Sequence, residues 1–103
     1  MQNVSGEDFE KEVLQHESAV LVEFYSDSCV PCKRMSPIMA ELEEEYREIK
    51  IVKLNVNFGA ETAQKYGVLS SPTFLFFKNG DEVKRLRGIV AKDDLADIIE
   101  ELI

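Results

Sequence analysis

The chain has 103 residues, 45% hydrophobic and 31% charged, the composition of an ordinary globular protein. It is too short for two folded domains and reads as a single domain, residues 1–103, able to bury a core without a metal or disulfide staple. A net charge of −8 argues against nucleic acid and anionic membrane surfaces as partners, and no apolar run approaches the ~20 residues of a membrane span.

Gln2 to Val4 is a candidate short first strand. No basic segment precedes an apolar stretch near Met1, so no signal peptide is expected and the expected location is cytoplasmic. Ser5-Gly6-Glu7-Asp8 reads as a helix start, with Ser5 as the cap and acids suited to the first turn. Phe9, Val13 and Leu14 supply an apolar face, and Lys11 to His16 completes the helix. Val20 to Tyr25 is almost continuously apolar, as in a strand covered on both faces. Ser26-Asp27-Ser28 is a polar loop. Pro31 then suits the first turn of a helix. Met35, Ile38, Met39, Leu42 and Tyr46 recur at helical spacing, which extends that helix to about Arg47. Pro37 lies inside it and is expected to kink it. The run Glu41 to Glu48 reads as a solvated helix face; the first 50 residues hold 12 acids against 5 bases.

Ile51 to Asn55 is a short strand, and Ala60 to Lys65 a short helix closed by Tyr66-Gly67. Thr73 to Lys78 is a strong strand, Asn79-Gly80 a hairpin turn, and Glu82 to Arg87 the antiparallel return. Lys92 to Leu102 closes the chain as an amphipathic helix behind Ala91, a poor capping residue. This order predicts an α/β fold: a central mixed sheet, parallel with a C-terminal antiparallel hairpin, flanked by helices on both faces.

The only cysteines are Cys29 and Cys32. A disulfide framework uses more cysteines, spread along the chain. Bonding this pair closes a very short ring and removes little chain entropy. A weak staple of this kind points to redox chemistry. The thiolate is the nucleophile in thiol–disulfide exchange. Here the unit opens a helix, whose unpaired N–H groups and positive dipole end favour the charged form at Cys29. Lys33 and Arg34 add positive charge nearby. The i, i+3 spacing brings the two Cβ atoms near bonding distance. Cys29, at the exposed tip, is the expected attacker and Cys32 the resolving thiol. Pro31 stiffens the turn between them.

A structural zinc site needs four ligands. The sole histidine, His16, reads as a surface residue, so only a site shared between two chains would complete the set. Two inert cysteines are the other alternative. No nucleotide, flavin or metal site is evident, and no cofactor is expected.

Glu23 lies within the apolar strand. It is either a solvent-facing residue of an edge strand or, as Val20, Leu21, Val22 and Phe24 argue, a buried carboxyl. Burial favours the neutral form, which would let Glu23 trade a proton with Cys32. Lys53 on the next strand is a candidate charge partner, with a plain surface lysine as the alternative. Ser71-Pro72-Thr73 precedes the strongest strand; most X-Pro bonds are trans, and the residues alone give no reason for cis.

Taken in order, the chain resembles the thioredoxin family over its full length. The run Leu21-Val22-Glu23-Phe24-Tyr25 precedes Cys29 to Lys33, a C-x-P-C-K unit, with Pro37 in the following helix. Lys53-Leu54-Asn55-Val56, Tyr66-Gly67-Val68, Pro72-Thr73, Phe77-Lys78-Asn79-Gly80 and Gly88 follow at family spacing. The resemblance implies a thioredoxin fold and a thiol–disulfide oxidoreductase: a cytosolic protein-disulfide reductant with a redox disulfide Cys29–Cys32. It implies Cys29 as nucleophile, Cys32 as resolving cysteine, Glu23 as the buried acid and Lys53 as the lysine near it. It implies a cis-proline at Pro72, with the backbone of Ser71 pairing with an extended client. Gly88 and Ile89 then border the binding surface, with Val30 and Pro31 beside the sulfurs. Thioredoxin reductase is the implied electron donor, disulfide-containing proteins are the clients, and a monomer is expected.

Four positions depart from the family pattern. Ser28 stands in place of tryptophan, Val30 in place of glycine, Glu23 in place of aspartate and Ser71 in place of isoleucine. Val30 adds β-branched bulk beside the sulfurs. Two alternatives stay open: a disulfide isomerase or oxidase with altered potential, suggested by Val30 and Ser71, and a non-catalytic binding module on the same scaffold whose cysteines are idle.

Overall fold

The computed structural model describes residues Met1–Ile103. Five strands form one sheet: β1 (Gln2–Asn3), β2 (Val20–Tyr25), β3 (Lys50–Asn55), β4 (Thr73–Lys78) and β5 (Asp81–Arg87). Their spatial order is β1-β3-β2-β4-β5. The β1–β3 and β2–β3 pairs are parallel; β2–β4 and β4–β5 are antiparallel. Three α-helices accompany them: α1 (Val30–Glu45), α2 (Ala60–Lys65) and α3 (Lys92–Leu102). This is the thioredoxin fold.

Alternation along the strands separates two cores. Leu21, Ile51, Phe74 and Phe76 face α1 and α3, meeting Met35, Met39, Leu42, Leu95 and Ile99. Val20, Val22, Phe24, Val52, Leu54, Leu75 and Phe77 face the other way, toward Phe9, Val13, Ala63 and Val68. Both faces of β2 are therefore covered, which is why its side chains from Val20 to Phe24 are all buried. At Asn79 and Gly80 both φ angles are positive, 52° and 85°, as a two-residue hairpin turn requires. A Cβ on Gly80 would also sit 2.9 Å from the Leu14 carbonyl oxygen.

Three expectations need correction. The first helix, expected to run from a cap at Ser5 through His16, is a single wide π-turn at Glu10–Leu14. The Gln15 N–H reaches the Glu10 carbonyl, five residues back, at 2.8 Å. That turn seats Phe9 and Val13 on the sheet together. Helix α1 stops at Glu45 rather than near Arg47, because Tyr46 leaves helical geometry (φ −117°, ψ 85°). The Tyr46 hydroxyl instead donates to Glu100 on α3 at 2.6 Å. The acidic run is not wholly a free solvated face. Lys92 of α3 pairs with Glu41 at 3.1 Å and also with Glu45.

Candidate active site

Helix α1 begins inside the C-x-x-C unit. Cys29 is its N-cap, with extended backbone, and the Cys29 Sγ accepts the Cys32 N–H at 3.1 Å. One of the helix's orphan donors thus points at the sulfur, and the dipole's positive end lies behind it. Both features favour a thiolate at Cys29 once the pair is reduced. The two sulfurs are bonded to each other, with the Cα atoms 5.2 Å apart. Val30 and Pro31 complete the turn, and Val30 is 61% exposed. Cys29 is less open than a helix tip implies. It is 8% exposed and Cys32 is 6%, so overall burial does not separate the two roles. Along the helix they differ: Cys29 caps the end, and Cys32 is three residues further in.

Strand register brings three loops to one end of the sheet. Phe24 of β2 pairs with Thr73 of β4, so the segment leading to Cys29 runs beside Ser71-Pro72. Thr73 also pairs with Arg87, and the Gly88 N–H donates to the Pro72 carbonyl at 2.8 Å. The Ser71–Pro72 bond is cis, as the resemblance implied. Gly88 has φ +76°, a conformation suited to glycine. Ile89 beyond it is 56% exposed. Ser71 makes no backbone hydrogen bond within the chain. Its N–H and carbonyl are available at the edge of this cluster.

Glu23 is a buried carboxyl, 4% exposed, and not an edge-strand residue. Its strand position puts it on the face of Leu21, under α1. Burial pushes its pKa up from 4.5 to about 7, against a smaller downward pull from the charge of Lys53. Lys53 is its register partner on β3. Yet the Lys53 ammonium is held elsewhere, 5.0 Å from the centroid of the Tyr25 ring.

Two features of this region lie outside the expected set. Tyr25 donates from its hydroxyl to Asn3 Oδ1 at 3.1 Å. Its alternation with Glu23 was the available clue, since both fall on one face of β2. Leu69 is 96% exposed in the loop that leads to Pro72. An apolar residue just after Gly67-Val68, where the short helix has ended, was the clue there. No cluster of three or more His, Cys, Asp or Glu side chains is arranged to hold a metal ion. No helix is long and apolar enough to cross a membrane.

The family model "Thioredoxin" matches residues 1–101. A thioredoxin of Rickettsia conorii is 37% identical over 102 residues, 98% of this chain and 97% of that protein. A thioredoxin of Synechocystis sp. is 38% identical over 99 residues, 95% of this chain and 92% of that protein. Thioredoxin M-type, chloroplastic, of Pisum sativum is 40% identical over 104 residues, spanning all of this chain and 60% of that protein. With a bonded cysteine pair at the head of α1 and relatives matching along its whole length, the chain belongs to the thioredoxin family of protein-disulfide oxidoreductases.

Proposed function

We propose that residues 1–103 act as one domain, a monomeric cytoplasmic reductant of protein disulfides, with Cys29 attacking and Cys32 resolving. The observation that carries this reading is the Cys29 sulfur capping α1, bonded to Cys32 and accepting its N–H. In the reduced protein the Cys29 thiolate attacks one sulfur of a client disulfide. A mixed disulfide forms and the client's other sulfur leaves as a thiolate. Cys32 then gives its proton to the Glu23 carboxylate and attacks the Cys29 sulfur. The Cys29–client bond breaks, the second client sulfur leaves with its electron pair, and Cys29–Cys32 is the oxidised product. Two electrons pass to the client. A base titrating at about 7 is matched to this task near neutral pH. Lys53 tunes that base through its charge.

The client lies across Val30, Pro31, Ser71, Pro72, Gly88 and Ile89. The free backbone groups of Ser71 pair with its extended chain, by the same bonding that adds a strand to a sheet edge. Exposed Val30, Leu69 and Ile89 supply apolar contact. The family draws electrons from thioredoxin reductase and passes them to disulfide clients; a flavin-dependent enzyme of that kind is the donor here.

Reduction of insulin disulfides by the dithiol form tests the reading. Cys29→Ser should lose the activity, and Cys32→Ser should trap the mixed disulfide. Full activity in Cys29→Ser overturns the assignment. Glu23→Gln should slow release of the mixed disulfide more than the first attack; equal slowing of both steps removes Glu23 as the proton carrier.

A further inference from the structure

Three strands meet at Lys53. It is the register partner of Glu23 on β2 and of Asn3 on β1. Partners in a parallel pair share a face, so Asn3, Lys53 and Glu23 lie on one face of the sheet. Tyr25, two residues beyond Glu23, belongs to that face as well. The Tyr25 side chain reaches across β3 to Asn3, where its hydroxyl donates at 3.1 Å. Its ring thereby comes beside Lys53, whose Nζ lies 5.0 Å from the ring centroid. A cation over an aromatic face is held by the ring quadrupole. The Lys53 ammonium makes no ion pair with Glu23 or with any other carboxylate.

We propose that Tyr25, anchored at Asn3, is a positioning residue: it holds the Lys53 ammonium on its ring and off Glu23, leaving that carboxyl to exchange the Cys32 proton. The catalytic half of this inference rests on the proton-carrying role proposed above for Glu23. The placement of Lys53 does not. The titratable groups facing Glu23 are few. Lys53 comes from β3, and it is the one charge that acts on the carboxyl. Cys29 and Cys32 come from the head of α1, and the register partner on β4 is the uncharged Phe74. Asp27, past the end of β2, is occupied by a hydrogen bond from Asn55 at 3.3 Å. An ammonium in direct contact lowers a carboxyl by about 1–3 pH units. Released from the ring, Lys53 would take Glu23 well below neutrality.

The test is a carboxyl-carbon NMR titration of Glu23 in the oxidised protein. Tyr25→Leu should lower the Glu23 midpoint by about one pH unit. Tyr25→Phe keeps the ring and should move it less than half as far. In a Lys53→Met background, Tyr25→Leu should leave the midpoint where Lys53→Met alone puts it. An unmoved midpoint in Tyr25→Leu overturns the proposal. So does a shift that persists without Lys53, since water and not the ammonium would then have reached the carboxyl. Should Tyr25→Leu fail to fold, Asn3→Ala, on the exposed edge strand, must give a shift in the same direction. The pH profile of mixed-disulfide release should follow the midpoint downward. A midpoint that moves while the release profile stays fixed overturns the proton-carrying role and the catalytic half with it, with the positioning of Lys53 measured independently.

Discussion

Burial makes Glu23 both useful and costly. Below its ordinary value of 4.5 the carboxyl is protonated in the folded and unfolded chains alike and contributes nothing. Between 4.5 and about 7 the unfolded chain ionises while the folded chain keeps its proton. Stability therefore falls as pH rises through this window, and the full loss, on the order of 3 kcal/mol, is reached above it. Glu23→Gln removes the titration. The variant should be more stable than the parent at pH 8 and close to it at pH 4, as measured by urea unfolding. An equal stability difference at both pH values would mean that Glu23 does not titrate within that window. Sequence placed Glu23 on a covered strand from its neighbours alone. It could not place the Lys53 ammonium, because the ring that holds it depends on a contact between residues 22 positions apart.

At the scale of elements, the helix ends carry the chemistry and the weak points. The N-cap of α1 is a sulfur, so the hydrogen bond that finishes the helix ends on one of the two bonded cysteines. Helix α3 has no such finish. Ala91 has the extended backbone of an N-cap (φ −71°, ψ 146°) but no side chain able to accept a helix N–H. Ala91→Ser should stabilise the protein by about 1 kcal/mol, a rise of roughly 4–8 °C in Tm, with insulin reduction unchanged. A fall in Tm would show that the Ala91 backbone cannot seat a capping hydroxyl. The π-turn at Glu10–Leu14 was not legible as such: Phe9, Val13 and Leu14 fit an α-helical face equally well. Packing of Phe9 on Tyr66 and Phe77, with ring centroids 5.4 and 5.7 Å away, accompanies the wider turn.

For the whole molecule, the family match runs along residues 1–101, and the rim beside the cysteine pair is mixed in polarity. Ser28 is exposed, Val30 stands 61% exposed beside the sulfurs, and Ser71 precedes the cis-proline. A reductant with a helix-capped Cys29 should have a Cys29–Cys32 potential of about −270 mV, read by equilibrating the couple in thiol buffers and alkylating free thiols. A value between about −180 and −120 mV would instead indicate an isomerase or oxidase.

The amino-acid sequence by itself determined the element order, the mixed sheet and the redox pair. Apolar spacing, glycine stops and an Asn-Gly turn are local signals, and a C-x-x-C unit at a helix start carries its own geometry. Only the tertiary structure decided what crosses between elements. It joined Lys92 to the acidic run of α1 and left the backbone of Ser71 without a partner. It buried both cysteines nearly equally and drew Tyr25 across Lys53 to Asn3. Each of these depends on side chains or backbone groups that packing, and not chain distance, brings together.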